Sequence, residues 1–414
     1  MDAPEDGAGD RPYLGRPLER FEDWSLLTGR GRYADDLPVR GDTLHAAILR
    51  SPHAHAEIVA IDTSAARAAP GVFAVITRDE VRSLSSPFVV GVKGPIECWA
   101  LAVERVRYVG EPVAVVVAAD RYLAEDALDL VAVEYRPLPA AIDPEAAAAN
   151  LVSDRSFAYG DPGAAFATAA HRVEITVRYP RNSCTPIEGL VVVADYDPGE
   201  GVYDVLANFQ GPFSLQPVMA RALNIPANRL RLRTPPDSGG SFGVKQAVFP
   251  YVVLMAIAAR IAGRPVKWVE DRLEHLAGAV SATNRVVRLK AAVGADGVVS
   301  ALDWDQLEDC GAYLRAPEPA TLYRMHGNLT GAYAIRHLTV RNRVVLTNKT
   351  PTGLVRGFGG PQVYFALERL MQRIAVVLAL DPLEVIRRNL VPSGAFPYRA
   401  AAGALLDSGD YPAT

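Results

Sequence analysis

Cysteine is scarce in this 414-residue sequence, which has three, at positions 98, 184 and 310. They are too far apart to suggest a disulfide framework, and no Cys-x-x-Cys pair offers ligands for zinc or an iron–sulfur cluster. The absence of both patterns argues against a small secreted scaffold and favours a reducing compartment. We therefore expect a cytoplasmic protein whose core needs neither disulfide nor metal.

The sequence also lacks an excess of positive charge. It has 43 lysine and arginine residues against 47 aspartate and glutamate residues, a net charge of −4, and the two signs alternate along the chain. This balance supplies no basic surface for a polyphosphate backbone, so nucleic acid is not an expected partner.

No segment has the length expected of a membrane span. The longest apolar run, about residues 251–262, falls well short of the ~20 residues that a bilayer requires, and it predicts a buried helix. The first residues have neither the positive nor the apolar region of a secretory signal. We expect a short disordered tail over residues 1–13 and no association with a membrane.

Several motifs of common active sites are missing. The sequence has no GxxxxGK[ST] loop, no GxGxxG within a strand-helix-strand unit and no GxSxG, which disfavours the usual nucleotide sites and serine hydrolase chemistry. His53 and His55 form the one close histidine pair, and nothing nearby completes a ligand set. No metal site made of side chains is therefore predicted.

The sequence does contain short apolar strands that alternate with helices, a pattern that predicts an α+β protein. In the N-terminal part, an apolar strand at residues 113–117 is followed by Asp120, which is suited to cap the next helix. Residues 137–163 carry four prolines and an alanine tract without periodicity, which indicates a surface connection. We place a first domain at residues 14–136, the connection at 137–163 and a second domain at 164–414.

The second domain has its own clear patterns. Residues 229–234 alternate as a half-buried strand does. A helix is predicted to begin at Pro361, because apolar side chains then recur on one face at positions 363, 367, 370, 374 and 378.

Two glycine-rich loops are the main candidates for a binding site. The first glycine loop, residues 237–245, follows a strand, and the second glycine loop, residues 356–362, opens the helix at Pro361. Glycines let backbone amides approach a ligand, a helix N-terminus favours an anion, and Arg356 adds a planar cation. Each loop alone is weak evidence, because glycines between a strand and a helix more often form only a tight turn.

Two other side chains could serve a site. Glu188, just before an apolar strand, is either a buried functional carboxylate or a satisfied structural one. Gln210 follows a short strand, where its amide could donate to a ligand oxygen.

At these loops the sequence resembles the large subunits of molybdenum hydroxylases, the family of xanthine dehydrogenase, aldehyde oxidase and the aerobic carbon monoxide dehydrogenases. The family's hammerhead domain is resembled by GRYADDLP, LRSPHAHAEIVAID, PGVFAVIT and RYVGEPVAVVVA. Its first molybdopterin-binding domain is resembled by NFQGP, LNIPANRLRL, SGGSFGVK, AGRPVKWVEDR, GAY, TNKTPTGLVRGFGGPQ and DPLEVIRRNLV. The motifs keep the family's order from about residue 14 to about residue 398. The resemblance implies these two domains in this order and an oxidoreductase that uses the molybdenum cofactor, molybdopterin.

The resemblance also implies residue roles at the cofactor. Gln210 falls where the family's glutamine hydrogen-bonds an oxygen on molybdenum. The positions that correspond to cofactor-covering loops are Gly240, Ser241, Phe242, Gly243, Arg356 and Gly357.

Other positions correspond to substrate contacts. Phe358 falls at an aromatic that packs against a flat ring, and Arg324, counted back from Tyr333, at a substrate-orienting arginine. Gln210, Phe358 and Arg324 are accordingly the predicted catalytic residues. Gln246 stands where purine oxidisers have a glutamate, so xanthine is not the expected substrate.

Two further departures from the family pattern limit the substrates that we expect. The family's His-x-Pro-Met/Leu-Glu-Pro is CTPIEG here, which keeps the carboxylate of Glu188 as a second pocket candidate beside Gln246. The loop VRGFGGPQ has no cysteine, so copper-linked oxidation of carbon monoxide is not expected. We expect oxidation of an aromatic, heterocyclic or aldehyde carbon of a small organic substrate, with water as the oxygen source.

The family's large subunits continue through a second cofactor-binding domain, which carries most pterin contacts and a glutamate that acts as general base. The sequence to Thr414 has no candidate for that glutamate. We expect the N-terminal half of a split subunit, inactive alone and completed by a C-terminal-half chain, with FAD and a 2Fe-2S cluster on further flavin and iron–sulfur subunits. The alternatives are a fragment, a copy that has lost activity, a non-catalytic scaffold or ligand-binding subunit without molybdenum, and a different reaction in the same cleft.

Overall fold

A computed structural model describes residues 17–89, 96–314 and 324–414, together with Tyr13 and Gly15. The predicted disordered tail over residues 1–13 lies, apart from Tyr13, outside the described residues.

In the described part of the chain, strands and helices alternate as the α+β prediction requires. The strands are β1 (Leu44–Arg50), β2 (Ala56–Asp62), β3 (Val72–Ile76), β4 (Arg105–Val106), β5 (Pro112–Ala118), β6 (Ala132–Pro137), β7 (Leu151–Tyr159), β8 (His171–Tyr179), β9 (Val191–Asp197), β10 (Val202–Ala207), β11 (Leu230–Arg233), β12 (Val266–Val269), β13 (Asn284–Val293), β14 (Val299–Asp309), β15 (His337–Val345), β16 (Tyr398–Arg399) and β17 (Leu405–Leu406). The helices are α1 (Asp23–Leu27), α2 (Ser64–Ala68), α3 (Arg78–Leu84), α4 (Arg121–Leu128), α5 (Pro162–Thr168), α6 (Pro212–Ala222), α7 (Phe249–Ala262), α8 (Arg272–Gly278), α9 (Gly360–Leu378) and α10 (Pro382–Asn389).

The largest sheet in the described residues joins the two predicted domains. Its order is β11-β10-β9-β12-β1-β5-β3, in which β1, β3 and β5 belong to the N-terminal part. Strand β1 pairs in parallel with β12, with Leu44 opposite Val266. The two parts therefore share one sheet and one hydrophobic core, and the boundaries 14–136, 137–163 and 164–414 stay predictions.

Helix α7 fills the centre of that core. Every residue from Phe249 to Ala259 is buried, which confirms the buried helix predicted over residues 251–262. The helical stretch Val244–Ala262 has the length and composition of a membrane span, and 78% of its most apolar window is buried within the protein. Such burial is typical of the core helix of a globular domain.

A second sheet, in the order β7-β15-β14-β13-β8, carries helix α9 on one face. Of the five residues predicted for the inner face of this helix, Val363, Leu367, Leu370 and Ile374 are fully buried against the sheet, and Leu378 in the last turn is partly buried. Helix α9 thereby fixes the direction in which the second glycine loop leaves its N-terminus.

Residues 137–163, predicted as a surface connection, contain more regular structure than the sequence suggested. Strand β7 forms the edge of the second sheet and pairs antiparallel with β15, with Tyr159 opposite Leu338. Most side chains of β7 are exposed, so its sequence carries no apolar alternation, and the pairing becomes visible only in the fold.

A buried carboxyl group links the two parts of the shared core. The Tyr313 hydroxyl donates to Glu111 Oε1 at 2.6 Å, and the Arg107 backbone N–H donates to Oε2 at 2.5 Å. Burial raises the pKa of Glu111 to about 7, and the bonds from Tyr313 and the backbone only partly oppose it.

We predict that Glu111→Gln reduces the pH dependence of stability between pH 4.5 and about pH 7. The folded-state pKa of Glu111 lies above its ordinary value of 4.5, so the folded chain binds more protons in this window. The group therefore destabilises the fold as pH rises, by up to about 1.4 kcal/mol per pH unit. Glutamine imitates the protonated carboxyl and removes this slope.

The measurement is the free energy of unfolding from urea titrations at a series of pH values. Glu134→Gln, at an exposed position of β6, serves as the control and should keep the wild-type slope. Equal slopes for wild type and Glu111→Gln would contradict the prediction.

Candidate functional site

The first glycine loop, residues 237–245, lies between β11 and the helical stretch that leads into α7. Its backbone has positive φ at Gly240 (+97°), Phe242 (+52°) and Gly243 (+108°). Phenylalanine rarely adopts this conformation, so its presence at +52° marks a strained position held by its surroundings. The Phe242 ring is half exposed.

The second glycine loop, residues 356–362, turns through three successive positive φ values, at Gly357 (+94°), Phe358 (+34°) and Gly359 (+87°). Helix α9 begins directly after them, and no side chain caps its N-terminus. The loop thus presents the positive end of a 19-residue helix.

The two glycine loops contact each other through their backbones. The Arg356 N–H donates to the Phe242 carbonyl at 2.7 Å. A side chain at position 243 would place its Cβ 2.5 Å from the Leu354 carbonyl oxygen, so only glycine allows this approach. The structure therefore brings together two segments that lie more than 100 residues apart.

Some backbone amides at this junction are left without acceptors. They donate to no acceptor among the described residues. These amides include those of Gly240, Ser241, Phe242, Gly357 and Gly359. Successive free amides of this kind form a concave donor surface suited to an anion.

Gln210 lies at the edge of the first glycine loop. The Ser241 hydroxyl donates to its Oε1, so its amide nitrogen stays available as a donor. Gln210 is exposed, as is Arg356, which pairs with no carboxylate of the described residues.

Gln246 is held by a serine that the sequence analysis did not single out. Ser214 donates its one proton to the Gly211 carbonyl at 2.8 Å, so its oxygen accepts the Gln246 side-chain N–H at 3.2 Å. Gln246 Oε1 then points away from Ser214 and is buried without a donor among the described residues. The only available signal for Ser214 was its place four residues after Gln210.

Arg324 and Phe358, which the sequence analysis named separately, are in contact. The Arg324 guanidinium lies over the Phe358 ring, 5.2 Å from the ring centroid, a favourable cation–π distance. The ring is otherwise buried, and Arg324 is exposed. The predicted substrate residues therefore lie together beside the second glycine loop.

The Glu188 carboxylate holds the two ends of the first glycine loop together. Its Oε2 accepts the Gly239 N–H at 2.9 Å and also accepts from Lys245 Nζ, at opposite ends of the loop. Its Oε1 accepts the Ala34 N–H at 3.2 Å. Both oxygens are occupied, which favours the structural alternative for Glu188 over its predicted place in a substrate pocket.

Lys245, the partner of Glu188, has a side chain that is 1% exposed. Burial lowers its pKa, and the adjacent Glu188 carboxylate opposes that effect. The burial of Lys245 could not be predicted, because nothing in the motif GVK indicates where the lysine side chain lies.

No group of three or more histidine, cysteine or acidic side chains comes close enough to bind a metal within the part of the chain that the structure describes. His53 packs edge-on against Tyr135, and His55 contacts the Pro139 carbonyl. Cys98, Cys184 and Cys310 form no disulfide bond with one another.

Two domain families match the chain. The molybdopterin cofactor-binding domain matches residues 143–390, and the a/b hammerhead domain of aldehyde oxidase and xanthine dehydrogenase matches residues 28–139. These matches confirm the predicted fold class, a hammerhead domain followed by a molybdopterin-binding domain.

Characterised proteins resemble it over nearly its whole length. Subunit gamma of the 6-hydroxypseudooxynicotine dehydrogenase complex of Paenarthrobacter nicotinovorans is 36% identical over 431 residues, covering 99% of this chain and 54% of the relative. The carbon monoxide dehydrogenase large chain of Afipia carboxidovorans is 33% identical, with 96% and 52% covered. The solved structure of quinoline 2-oxidoreductase from Pseudomonas putida 86 superposes with a TM-score of 0.89 at 37% identity, covering 96% of this chain and 52% of that one. The chain thus spans about half the length of the curated relatives it matches.

We predict that Glu188→Gln lowers the free energy of unfolding by about 3 kcal/mol, because it leaves the buried Lys245 charge without its partner. The double variant Glu188→Gln/Lys245→Met, which removes both charges, should recover part of that loss. Urea titrations of the two variants check the prediction.

Glu145→Gln is the control. The Glu145 carboxylate pairs with two exposed arginines, Arg178 and Arg288, and its loss should cost at most about 1 kcal/mol. A Glu188→Gln variant as stable as wild type would return Glu188 to the list of substrate-pocket candidates.

Proposed function

The chain belongs to the xanthine dehydrogenase and aldehyde oxidase family of molybdenum hydroxylases, and from this we propose that it forms the N-terminal half of a molybdenum hydroxylase catalytic unit. The observation that carries the proposal is the junction of the two glycine loops, where amides of both loops lack acceptors among the described residues. A fold alone does not establish an activity, and these loops and their neighbours are what supports one here.

Residues at the junction fit a pterin cofactor that carries an anionic group. The amides of Gly240, Ser241 and Phe242 would donate to it, and Arg356 would add a planar cation. Gln210 would donate its free amide N–H to an oxygen of the bound group, since its Oε1 is already used by Ser241. Gly243 and Gly357 would act through the backbone turns that they make possible. The chemistry that the bound cofactor supplies is a two-electron oxidation in which water provides the oxygen.

Arg324 and Phe358 would bind and orient the substrate. A flat substrate would stack on the Phe358 ring in place of the Arg324 guanidinium that lies over it, and Arg324 would then donate to a carbonyl or anionic oxygen of the substrate. Their pairing supports a flat substrate, an aromatic or heterocyclic compound or an aldehyde.

Two features argue against the substrates of particular relatives. Gln246 is neutral where purine oxidisers carry a glutamate, so we do not propose xanthine as the substrate. The second glycine loop has no cysteine, so we do not propose copper-linked oxidation of carbon monoxide, although a carbon monoxide dehydrogenase large chain is among the relatives.

We further propose that a C-terminal-half chain completes the site. Large apolar side chains are exposed next to residues that contact the first glycine loop or its neighbours: Ile187 is 92% exposed, Phe213 86% and Leu273 78%. Apolar surface of this kind marks a docking site for another protein segment. Flavin and iron–sulfur subunits in the cytoplasm would then carry electrons away from the catalytic unit.

We predict that the chain purified alone contains little molybdenum and shows no turnover, because one side of the cofactor would face solvent. Co-expression with a chain that resembles the second half of the relatives should raise molybdenum and pterin to about one per complex. Metal analysis and pterin fluorescence check both statements. Stoichiometric cofactor on the isolated chain would contradict the two-half arrangement, and a complex without cofactor would support the scaffold alternative.

We also predict that Arg356→Lys and Phe358→Leu fail in different ways. Lysine keeps the charge but loses the planar donor fork, so cofactor content of the complex should fall. Leucine keeps apolar volume but loses roughly 0.5–1.5 kcal/mol of stacking, so substrate should bind several-fold more weakly at unchanged cofactor content.

Molybdenum content and the KM of the complex distinguish the two variants. If both substitutions lower only the melting temperature, the residues merely hold the loop in place, and their proposed roles are wrong.

A further inference from the structure

The segment at residues 347–353, which leads into the second glycine loop, is held between two other parts of the chain. On one side the Thr352 N–H donates to the Cys310 carbonyl at 3.1 Å, and on the other the Gly353 N–H donates to the Ser281 carbonyl at 3.0 Å. The position of the glycine loop therefore depends on what fixes this segment.

Asp309, the last residue of β14, is fully buried and directs its carboxylate at the segment. Its Oδ1 accepts the Thr347 hydroxyl at 2.6 Å and the Gly311 N–H at 2.9 Å, and its Oδ2 accepts Lys349 Nζ at 3.0 Å. One buried carboxylate thus contacts the segment at two of its first three residues.

Arg181 extends this arrangement to the next residue of the segment. Its Nη1 donates to the Thr350 carbonyl at 2.5 Å and to the Ser281 hydroxyl at 2.8 Å. Its Nη2 lies 3.9 Å from Asp309 Oδ1. Two cations therefore flank the buried Asp309 charge, and both also contact or belong to the segment.

The backbone leaves the segment little room to move. Gly311 has φ +71°, and a Cβ at this position would lie 2.2 Å from the Thr350 carbonyl oxygen. The chain after Asp309 is therefore packed against the segment at a distance that only glycine permits.

We propose that Asp309, with Lys349 and Arg181, is a positioning residue for the second glycine loop. It acts on the segment 347–353 and through it sets Arg356 and Phe358, without touching cofactor or substrate itself. The inference rests on the proposed function for what the loop binds, and on the geometry alone for how the loop is held.

An ion pair between β14, the strand that ends at Asp309, and β15, the strand that precedes the segment, provides the control. Arg343 on β15 and Asp305 on β14 form a two-pronged pair at 2.8 and 2.9 Å, four residues before Asp309. This pair joins the strands but contacts neither the segment nor the loop. Its loss should affect strand packing alone.

The test compares Lys349→Met with Arg343→Met and with the conservative variant Lys349→Arg. The readout in the full-length chain is hydrogen exchange of the Arg356 amide, which donates to Phe242. We expect exchange at Arg356 to rise about tenfold in Lys349→Met, because a charge-assisted hydrogen bond that holds the segment is lost. Arg343→Met should leave this amide unchanged, and Lys349→Arg should restore most of its protection.

The second readout is molybdenum content of the assembled complex, which should fall in Lys349→Met and not in Arg343→Met. Asp309→Asn would remove the central carboxylate itself, but we expect a substitution at this fully buried position to impair folding. The lysine variants therefore decide the test. Unchanged exchange at Arg356, or an equal rise in Arg343→Met, would overturn the positioning role. Faster exchange in Lys349→Met, together with a wild-type complex that holds no molybdenum, would support the positioning role and reject the proposed function.

Discussion

The candidate site depends on one backbone hydrogen bond, from the Arg356 N–H to the Phe242 carbonyl. This bond joins loops that leave different sheets, and it requires positive φ at the residues on both sides of it. Some amides of each loop donate to the other loop or to the residues that anchor the loop. Other amides beside them have no such acceptor and remain available to a ligand. The strain at Phe242 and Phe358 is thus associated with the part of the molecule to which we assign binding.

The anchors of the two loops are buried charges rather than apolar contacts alone. Glu188 with Lys245 closes the first loop, and Asp309 with Lys349 holds the segment before the second. A buried carboxylate is stable only when its oxygens are fully used, so each anchor allows few alternative arrangements. This explains why neither Glu188 nor Asp309 is free to bind a substrate, although both lie close to the site.

Elements with a strong local pattern could be predicted from the sequence, as α7 and the inner face of α9 show. The parallel pairing of β1 with β12 could not, because it joins residues more than 200 positions apart and no local periodicity records it. Strand β15 is not evident from the sequence, because the inward side chains of HLTVRNRVV include a buried asparagine, Asn342, which interrupts the apolar alternation. The glycine loops were identifiable as candidates, but the role of Glu188 stayed open until the position of the Lys245 side chain was known.

The claim that the free amides of the glycine loops bind the molybdenum cofactor can be measured directly. Hydrogen exchange of the assembled complex, with cofactor and after its removal, reports on Gly240, Ser241, Phe242, Gly357 and Gly359 individually. The account predicts that these amides become protected when cofactor is present, while exposed loops elsewhere do not change. A complex that binds cofactor in stoichiometric amount while these amides exchange as before would contradict it.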